Sequence, residues 1–362
     1  MLGNSVTDSI VAEGGKISVK RSFKLKWRMW KRGKEFDRKP TRMERFLRAY
    51  QKHVSAVTCP LVLISQAQFS GGSLLNQLFD GHPQLHVHPH EFQIGSANRY
   101  FWPKIELNKT PEQWFQTLFE DMAVYDFFHG FKTRDTCQDT FLFIFLPFLQ
   151  KEIFIEYLKS FKQIAIRDVF DAYMSSYFGA WVNNQNVIGE KKFVTGFTPV
   201  LANVATNMES YFEIYPEGRL ISVIRDPKSW YRTAKRGNLD RYGDIRQAIG
   251  EWNESAGGML RNKERYGGQV CIIRFEDLTS RTEALTRYVA EFLDIRFDDI
   301  LLTPTFNKIP LKSSRVCKFE DHKIMSRAFS SNKDLAQEEL KIIDEMTGGV
   351  YEQVLERATA IS

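Results

Sequence analysis

The sequence predicts an α/β fold in which a central parallel sheet is flanked by helices. Three observations favour it. The apolar run at residues 61–64 is typical of a buried strand, and residues 73–80 follow it with leucines at helical spacing. The apolar runs at residues 220–224 and 269–275 are each followed by another helical segment. Strands that alternate with helices in this way indicate a parallel sheet.

In the first unit, a turn with two adjacent glycines joins the strand at 61–64 to the helix at 73–80. Four apolar residues of this helix fall on one face, and Gly81 follows in the position where glycine commonly ends a helix. Those four residues are Leu74, Leu75, Leu78 and Phe79. The pattern is that of a strand, a tight turn and an amphipathic helix.

In the second unit, Asp226 suits a helix N-cap and Pro227 suits the first helical turn. We expect this helix to run through Trp230 to about Arg236. The third strand, at 269–275, leads into a Glu-Asp-Leu sequence and a further helix.

The chain divides into three predicted regions. Residues 1–55 form a basic, partly disordered extension with one helix, because the first residues are small and polar and a helical pattern rich in arginine and lysine comes after them. Residues 56–325 form the α/β domain. It includes a mainly helical cap at about 98–190. Residues 326–362 supply a C-terminal helix that packs on the same domain.

The composition indicates a globular protein with anionic ligands. The chain has 362 residues, a formal net charge of +6 and 43% hydrophobic residues, and a moderate positive charge favours anions. No zinc-finger spacing or basic zipper is present, so we expect no nucleic-acid partner. The four cysteines match no metal-binding spacing.

No apolar run reaches the roughly 18 residues that a membrane span requires, and no signal-peptide pattern opens the chain. A cytoplasmic location is therefore expected. The basic segment at residues 16–53 has two interpretations. It is a solvated surface helix, or it contacts an anionic membrane or an acidic partner.

The turn at residues 68–75 suits an anion. Gly71 and Gly72 allow a sharp turn, the helix after it contributes free N–H groups and the positive end of its dipole, and Ser70 and Ser73 add hydroxyls. It is not a nucleoside-triphosphate loop, because the first glycine and the lysine of that motif are missing. A plain strand–helix turn is the alternative.

Three motifs in order resemble the family of sulfotransferases that use 3'-phosphoadenosine 5'-phosphosulfate (PAPS). The first, Gln-Phe-Ser-Gly-Gly-Ser-Leu-Leu at residues 68–75, is similar to the family's 5'-phosphosulfate loop, and Asp80, His82 and Pro83 match the family's residues just after that loop and its helix. The second, at residues 224–233, is similar to the 3'-phosphate element, and the third is Arg-Phe-Glu-Asp-Leu at 274–278. A weaker fourth lies at 303–318.

The resemblance implies a P-loop-NTPase-like sulfotransferase fold and transfer of a sulfuryl group from PAPS to a hydroxyl or amine, in line and without a metal. It also implies the donor-binding residues. They are Gln68, Phe69, Ser70, Gly71, Gly72, Ser73 and Leu74 around the phosphosulfate, Arg225 and Thr233 at the 3'-phosphate, and Ser313 and Lys318 from a loop that closes over the nucleotide. An arginine at the end of a strand also suits a phosphate on chemical grounds.

A general base is expected just after the first helix, where several branches of the family have a catalytic glutamate. Glu91 is the first candidate and His90 the second. A polar loop with ordinary histidines is one alternative. A metal site is another, because His86, His88 and His90 alternate and would face one side of a strand. Pro89 and the lack of an identifiable carboxylate partner count against a metal, and none is expected.

Phe69 departs from the family, which has Lys or Arg at this position. Phenylalanine supplies neither charge nor a hydrogen-bond donor. Either another cation substitutes, with Lys308 and Lys318 as candidates, or the protein binds the nucleotide without turnover. The expected acceptor is a small molecule, a lipid or a carbohydrate, and aromatic residues between 92 and 162 are candidates to line its pocket.

Overall fold

The computed structural model describes residues 37–50, 55–95, 101–120, 143–312, 317–320, 323–326 and 335–359. Residues 16–36 and 51–53 of the basic segment at 16–53 lie outside these ranges, and so does Ser313. The predicted disorder of the N-terminal extension and the predicted domain boundaries remain predictions.

A five-stranded parallel sheet forms the centre, in the order β2-β3-β1-β4-β5. Its strands are β1 Leu61–Ile64, β2 Leu85–Glu91, β3 Phe193–Phe197, β4 Arg219–Ile224 and β5 Val270–Arg274. Two antiparallel hairpins complete the described strands, β6 Thr305–Phe306 with β7 Ile309–Pro310, and β8 Cys317–Glu320 with β9 Lys323–Ser326. The predicted α/β class with a parallel sheet is confirmed.

Helices cover both faces of this sheet. Those before β4 are α1 Arg42–Tyr50, α2 Gly72–Phe79, α3 Pro111–Leu118, α4 Pro147–Leu158, α5 Ile166–Ala180 and α6 Ala205–Ile214. Those after it are α7 Pro227–Gly237, α8 Leu239–Tyr242, α9 Ile245–Tyr266, α10 Phe275–Ser280, α11 Thr282–Phe292 and α12 Gln337–Arg357. Short 3-10 turns occupy Leu201–Asn203, Gly267–Gln269 and Asp299–Leu302.

Strand β1 shows why this sheet is buried on both faces. It lies between β3 and β4, and all four of its side chains are inaccessible to solvent. Leu61 and Leu63 pack with α4 and α5 on one face, while Val62 and Ile64 pack with α2 and α11 on the other. Alternate side chains of a strand point to opposite faces, so this short apolar run contributes to both cores.

The described part of the segment between β2 and β3 is mainly helical and packs on one face through α3, α4 and α5. The sequence predicts three of the five sheet strands and misses β2 and β3. Strand β2 carries three histidines and Pro89, a composition that does not look like a strand until the cap buries it. None of the described helices is long and apolar enough to cross a membrane.

Candidate functional site

The glycine turn lies at the carboxyl edge of the sheet, between β1 and α2. Gly71 precedes α2 with φ 105, a conformation that favours glycine, and no side chain caps the helix. The Leu74 N–H already donates to the Gly71 carbonyl at 3.0 Å, so the N–H groups of Gly72 and Ser73, at the very start of the helix, are the ones oriented for an external anion. A Cβ on Gly71 would collide with the Phe275 ring, and one on Gly72 would collide with the Gln66 amide. Close packing thus requires both glycines.

Three hydrogen bonds fix the residues just before this turn. The Trp230 indole donates to the Gln68 carbonyl at 2.6 Å, and the Tyr242 hydroxyl donates to the Gln68 side-chain oxygen at 3.2 Å. Arg225 Nη1 donates to the Phe69 carbonyl at 2.9 Å. The turn is therefore held by α7, by α8 and by Arg225, the residue that directly follows β4.

The three motifs of the sequence converge here. Arg225 is 4% exposed, and its guanidinium lies 4.3 Å from the centre of the Phe275 ring, which also packs on Gly71. The backbone N–H of Asp226 donates to Glu276 Oε1 at 3.1 Å, and burial raises the pKa of Glu276. The arginine thus lies between the glycine turn and the Glu-Asp-Leu motif, where it can contribute positive charge to a bound anion.

Helix α7 begins as the sequence predicts, with the Asp226 side chain accepting a hydrogen bond from the backbone N–H of Ser229 at 2.8 Å and Pro227 in the first turn. Thr233 lies on the same helix and is 7% exposed. Its hydroxyl donates to the Ser229 carbonyl at 3.0 Å. In this rotamer the Thr233 hydroxyl hydrogen is used within the helix, so only its oxygen lone pairs face other groups.

The Phe69 side chain packs towards the junction of α7 and α8. Its ring meets the Tyr242 ring edge-on, with centroids 5.9 Å apart. A Cβ on Gly237 would collide with the Phe69 ring, so glycine at 237 makes room for it. Phe69 has φ 65, in the left-handed region that costs non-glycine residues roughly 1 kcal/mol or more. The ring is a packing element, and it places no charge at the turn.

Lys308 does not substitute for the missing charge, contrary to one expectation from the sequence. Its backbone N–H donates to Asp80 Oδ2 at 2.8 Å, and its side chain packs over Gly81. These residues lie beyond the far end of α2, and eight helical residues span about 12 Å. The hydroxyl of Thr305 also bonds to Asp80, so this part of the fourth motif anchors the end of α2.

The rest of the fourth motif is only partly described. Ser313 lies outside the described residues, and Lys318 is described through its backbone on β8. The hairpin of β8 and β9 packs against α10, and Ile324 of β9 lies in the same apolar cluster as Phe275. The backbone of this hairpin is thus next to the third motif.

Both candidate bases lie at the end of β2, two strands from β1 and hence about 10 Å across the same edge. Glu91 is half-buried and is the last residue of the strand. His90 is buried, with Nδ1 2.9 Å from the Glu91 carbonyl and Nε2 2.6 Å from the Tyr177 hydroxyl. Burial, helped by the charge of His88, lowers the pKa of His90 to about 3. Of the two side chains, Glu91 has the better access to an acceptor.

The three histidines of β2 have different neighbours and do not form a single cluster. His86 packs against the Phe178 ring at 4.8 Å, and burial lowers the pKa of His86 to about 3. His88 and His90 instead meet Glu120, and one potential ligand atom from each of these three residues lies within 4.8 Å of the others. Glu120 is the carboxylate partner that the sequence did not reveal.

The hydrogen bonds of this cluster use the atoms that a metal would need. His88 Nε2 lies 3.1 Å from Glu120 Oε1, and the Tyr173 hydroxyl donates to the same oxygen at 2.9 Å. The backbone N–H of Gln93 donates to the other carboxylate oxygen at 2.8 Å. The only sequence signal for Glu120 is an acidic residue two positions after the end of α3, which is weak evidence for a role. In this structure these side chains form a buried hydrogen-bonded network.

Comparison with known proteins identifies relatives over parts of the chain. Protein-tyrosine sulfotransferase A of Caenorhabditis elegans is 30% identical over 95 residues, which is 25% of this chain and 25% of that protein. The match thus spans a quarter of the length of this curated relative.

Two solved structures are similar to this chain at low sequence identity. The sulfotransferase domain from the curacin biosynthetic pathway is 17% identical, with a TM-score of 0.44, over 84% of this chain and 100% of that domain. A sulfotransferase from Mycobacterium avium is 11% identical, with a TM-score of 0.42, over 94% and 98% of the two chains.

The family model described as the sulfotransferase family matches residues 60–299 of the 362, well over half of the chain. That range contains the glycine turn, Arg225, Thr233 and the Glu-Asp-Leu motif, which the structure brings to one edge of the sheet. The chain belongs to the sulfotransferase family.

Proposed function

We propose that the protein transfers a sulfuryl group from PAPS to a hydroxyl or amine acceptor. The observation that carries the proposal is the convergence of the glycine turn, Arg225 and the Glu-Asp-Leu motif at the carboxyl edge of the sheet. Ligands of open α/β sheets bind at this edge. The uncapped start of α2 and the arginine beside it suit a doubly phosphorylated nucleotide.

Donor binding is inferred from the position of each group. The backbone of Ser70, Gly71, Gly72, Ser73 and Leu74 would hold the phosphosulfate, with Gln68 and Phe69 anchoring the turn from outside. Arg225 would bind the 3'-phosphate, and Thr233 would assist only after its hydroxyl turns away from Ser229. Ser313 and Lys318 remain proposed nucleotide contacts because they match the family's closing loop.

In the transfer step, the acceptor oxygen attacks sulfur in line with the bridging oxygen. The new S–O bond forms as the bond from sulfur to the phosphate oxygen breaks, and Glu91 takes the acceptor proton. The 3',5'-bisphosphate leaves with the electron pair. Catalysis then depends on alignment and on positive charge at the leaving oxygen, and the step needs no metal. His90 is the second candidate for the base, and its low pKa makes it the weaker one.

A second candidate function, nucleotide binding without turnover, rests on one observation. Phe69 packs against Gly237 and Tyr242 and provides no cation at the position where the family has Lys or Arg. Both functions require the same nucleotide site, so binding does not separate them, whereas turnover does.

The experiment has two stages. Excess 3',5'-adenosine bisphosphate should stabilise the protein by about 2.7 kcal/mol at 100 times its dissociation constant, and the rise in melting temperature measures this. Turnover is then measured with labelled PAPS and a panel of small-molecule, lipid and carbohydrate acceptors. No thermal shift at millimolar nucleotide would contradict the proposal, and binding without turnover would select the second function.

Glu91→Gln tests the base. Glutamine has nearly the same shape but cannot take the proton, so turnover should fall by roughly 10²–10⁴ while nucleotide affinity stays nearly the same. His90→Ala is the comparison. If His90→Ala shows that pattern and Glu91→Gln does not, the two roles are reversed.

A further inference from the structure

The end of β2 is irregular, and side chains rather than the sheet support it. Pairing with β3 is regular from Leu85 to Val87 and resumes only at Glu91, after a shift in register. Pro89 lies in the gap and has no N–H to donate to a neighbouring strand. Three carbonyls in or beside this gap are bonded by side chains. The amide of Asn76 donates to His88 O at 2.9 Å, His88 Nδ1 lies 3.1 Å from His90 O, and His90 Nδ1 lies 2.9 Å from Glu91 O.

These carbonyls fix the tautomers of both histidines. A carbonyl oxygen only accepts, so Nδ1 of His88 and Nδ1 of His90 must each carry a hydrogen. Neutral His90 then has a lone pair on Nε2 and accepts from the Tyr177 hydroxyl at 2.6 Å. Burial raises the pKa of Tyr177 well above its usual value, which keeps that hydroxyl a donor.

His88 is in a different position, because its Nε2 faces a carboxylate. A lone pair on that nitrogen would repel Glu120 Oε1 at 3.1 Å, so a proton must lie between the two atoms. Burial raises the pKa of Glu120, but the charge and hydrogen bond of His88 outweigh it, and the pKa of this carboxyl is lower than usual. The two side chains therefore share one proton in a buried hydrogen bond between an imidazole and a carboxyl group. Tyr173 and the Gln93 N–H donate to the same carboxylate.

We propose that His88 and Glu120 are positioning residues for Glu91. Glu120 fixes the ring of His88, and His88 binds the carbonyl of His90. The strand end that carries the Glu91 carboxylate is thereby held in position to meet the acceptor. The inference rests on the proposed role of Glu91 as the base. It explains why a buried pair of titratable side chains, which by itself seldom stabilises a fold, lies beneath the candidate site. Neither residue touches the acceptor in this scheme.

Two matched substitutions at His88 separate its two hydrogen bonds. In His88→Asn the short amide can take the place of Nδ1 and keep the bond to the His90 carbonyl. In His88→Gln the longer amide reaches the Nε2 position near Glu120 and loses that carbonyl. A misplacement of about 1 Å can cost roughly 100-fold in rate. We expect His88→Gln to lower kcat by roughly 10- to 100-fold, and His88→Asn to lower it clearly less, with nucleotide affinity unchanged in both.

A double-mutant cycle with Glu91→Gln decides whether the effect passes through Glu91. If it does, adding His88→Gln to Glu91→Gln should change kcat by less than about threefold, because coupled residues are not additive. Independent effects that multiply would overturn the proposal, as would equal losses in His88→Asn and His88→Gln. Where His88→Gln does not fold, Glu120→Gln replaces it in the cycle, because it removes the charge and keeps the shape.

The failure of the proposed function has a different signature. If Glu91→Gln alone leaves kcat unchanged, Glu91 is not the base, and the positioning role is lost with it. If the natural chain and Phe69→Arg both bind 3',5'-adenosine bisphosphate but neither shows turnover, the proposed sulfuryl transfer and the positioning role are both overturned. Multiplied effects in the cycle, with Glu91→Gln strongly impaired, overturn the positioning role alone.

Discussion

Phe69→Arg is the most informative perturbation of this site. The Phe69 carbonyl accepts from Arg225 at 2.9 Å, so residue 69 is part of the charged edge of the turn. Its side chain, however, is an apolar ring against Gly237 and Tyr242. If the leaving phosphate oxygen needs a cation here, arginine should raise single-turnover rates by roughly 10²–10³, the effect typical of one charge-stabilising donor. Nucleotide affinity should also increase.

The cost in stability can be bounded from the packing. The ring is half-buried, so losing its burial costs about 1 kcal/mol, and losing the edge-on contact with Tyr242 adds about 0.5–1.5 kcal/mol. The aliphatic part of arginine can still cover Gly237. The left-handed backbone at φ 65 is equally unfavourable for both residues. A loss of about 2 kcal/mol is small against the 5–15 kcal/mol of a typical protein, so the variant should fold.

The assay is single-turnover sulfuryl transfer with one acceptor, for the natural protein, Phe69→Arg and Phe69→Met. Methionine is the control because it replaces the ring with a flexible uncharged chain. A gain in Phe69→Arg alone supports the charge argument. A natural enzyme that is already fast and gains nothing from arginine would refute it, and so would an equal gain in Phe69→Met, which would indicate relief of crowding.

Three further predictions concern the nucleotide site and the buried histidines of β2. Arg225→Ala should weaken binding of 3',5'-adenosine bisphosphate by one to a few orders of magnitude. Thr233→Ala should weaken it by only about 1 kcal/mol or less, because the Thr233 hydroxyl already bonds to Ser229. Calorimetric titration measures both affinities, and normal binding by Arg225→Ala would show that the second motif is misplaced. Gly71→Ala should abolish nucleotide binding or folding, since its φ is 105 and a Cβ meets the Phe275 ring; an unchanged melting temperature and affinity would contradict this. Burial lowers the pKa values of His86 and His90 to about 3 in the folded protein, so between about pH 6.5 and 3 the unfolded chain binds more protons than the folded one. The free energy of unfolding should therefore decrease as the pH is lowered through this range, by up to roughly 1.4 kcal/mol per pH unit for each histidine. His86→Phe should reduce that slope in denaturation curves at several pH values, and an unchanged slope would show that His86 is not buried as a neutral ring.

The three strand–helix units could be predicted because their signals are local. Apolar runs at 61–64, 220–224 and 269–275 are short and bounded by turn or capping residues, and the structure has β1, β4 and β5 there. Strand β3 was missed because Phe193–Phe197 is short and includes a glycine, a residue that is depleted in strands. Strand β2 was missed because its histidines and proline resemble a polar loop, and only the covering helices make it a buried strand.

By itself, the sequence determined the α/β class, the glycine turn, and the order of motifs that places the chain in the sulfotransferase family. These depend on the spacing of neighbouring residues. The tertiary structure decided which distant groups meet. It placed Lys308 at the end of α2 away from the glycine turn, where it cannot supply the missing charge. It also directed Phe69 towards Gly237 and brought Glu120 from a separate segment to His88. A buried charge is tolerated only beside a partner, and packing between segments far apart in the chain determines which partner that is.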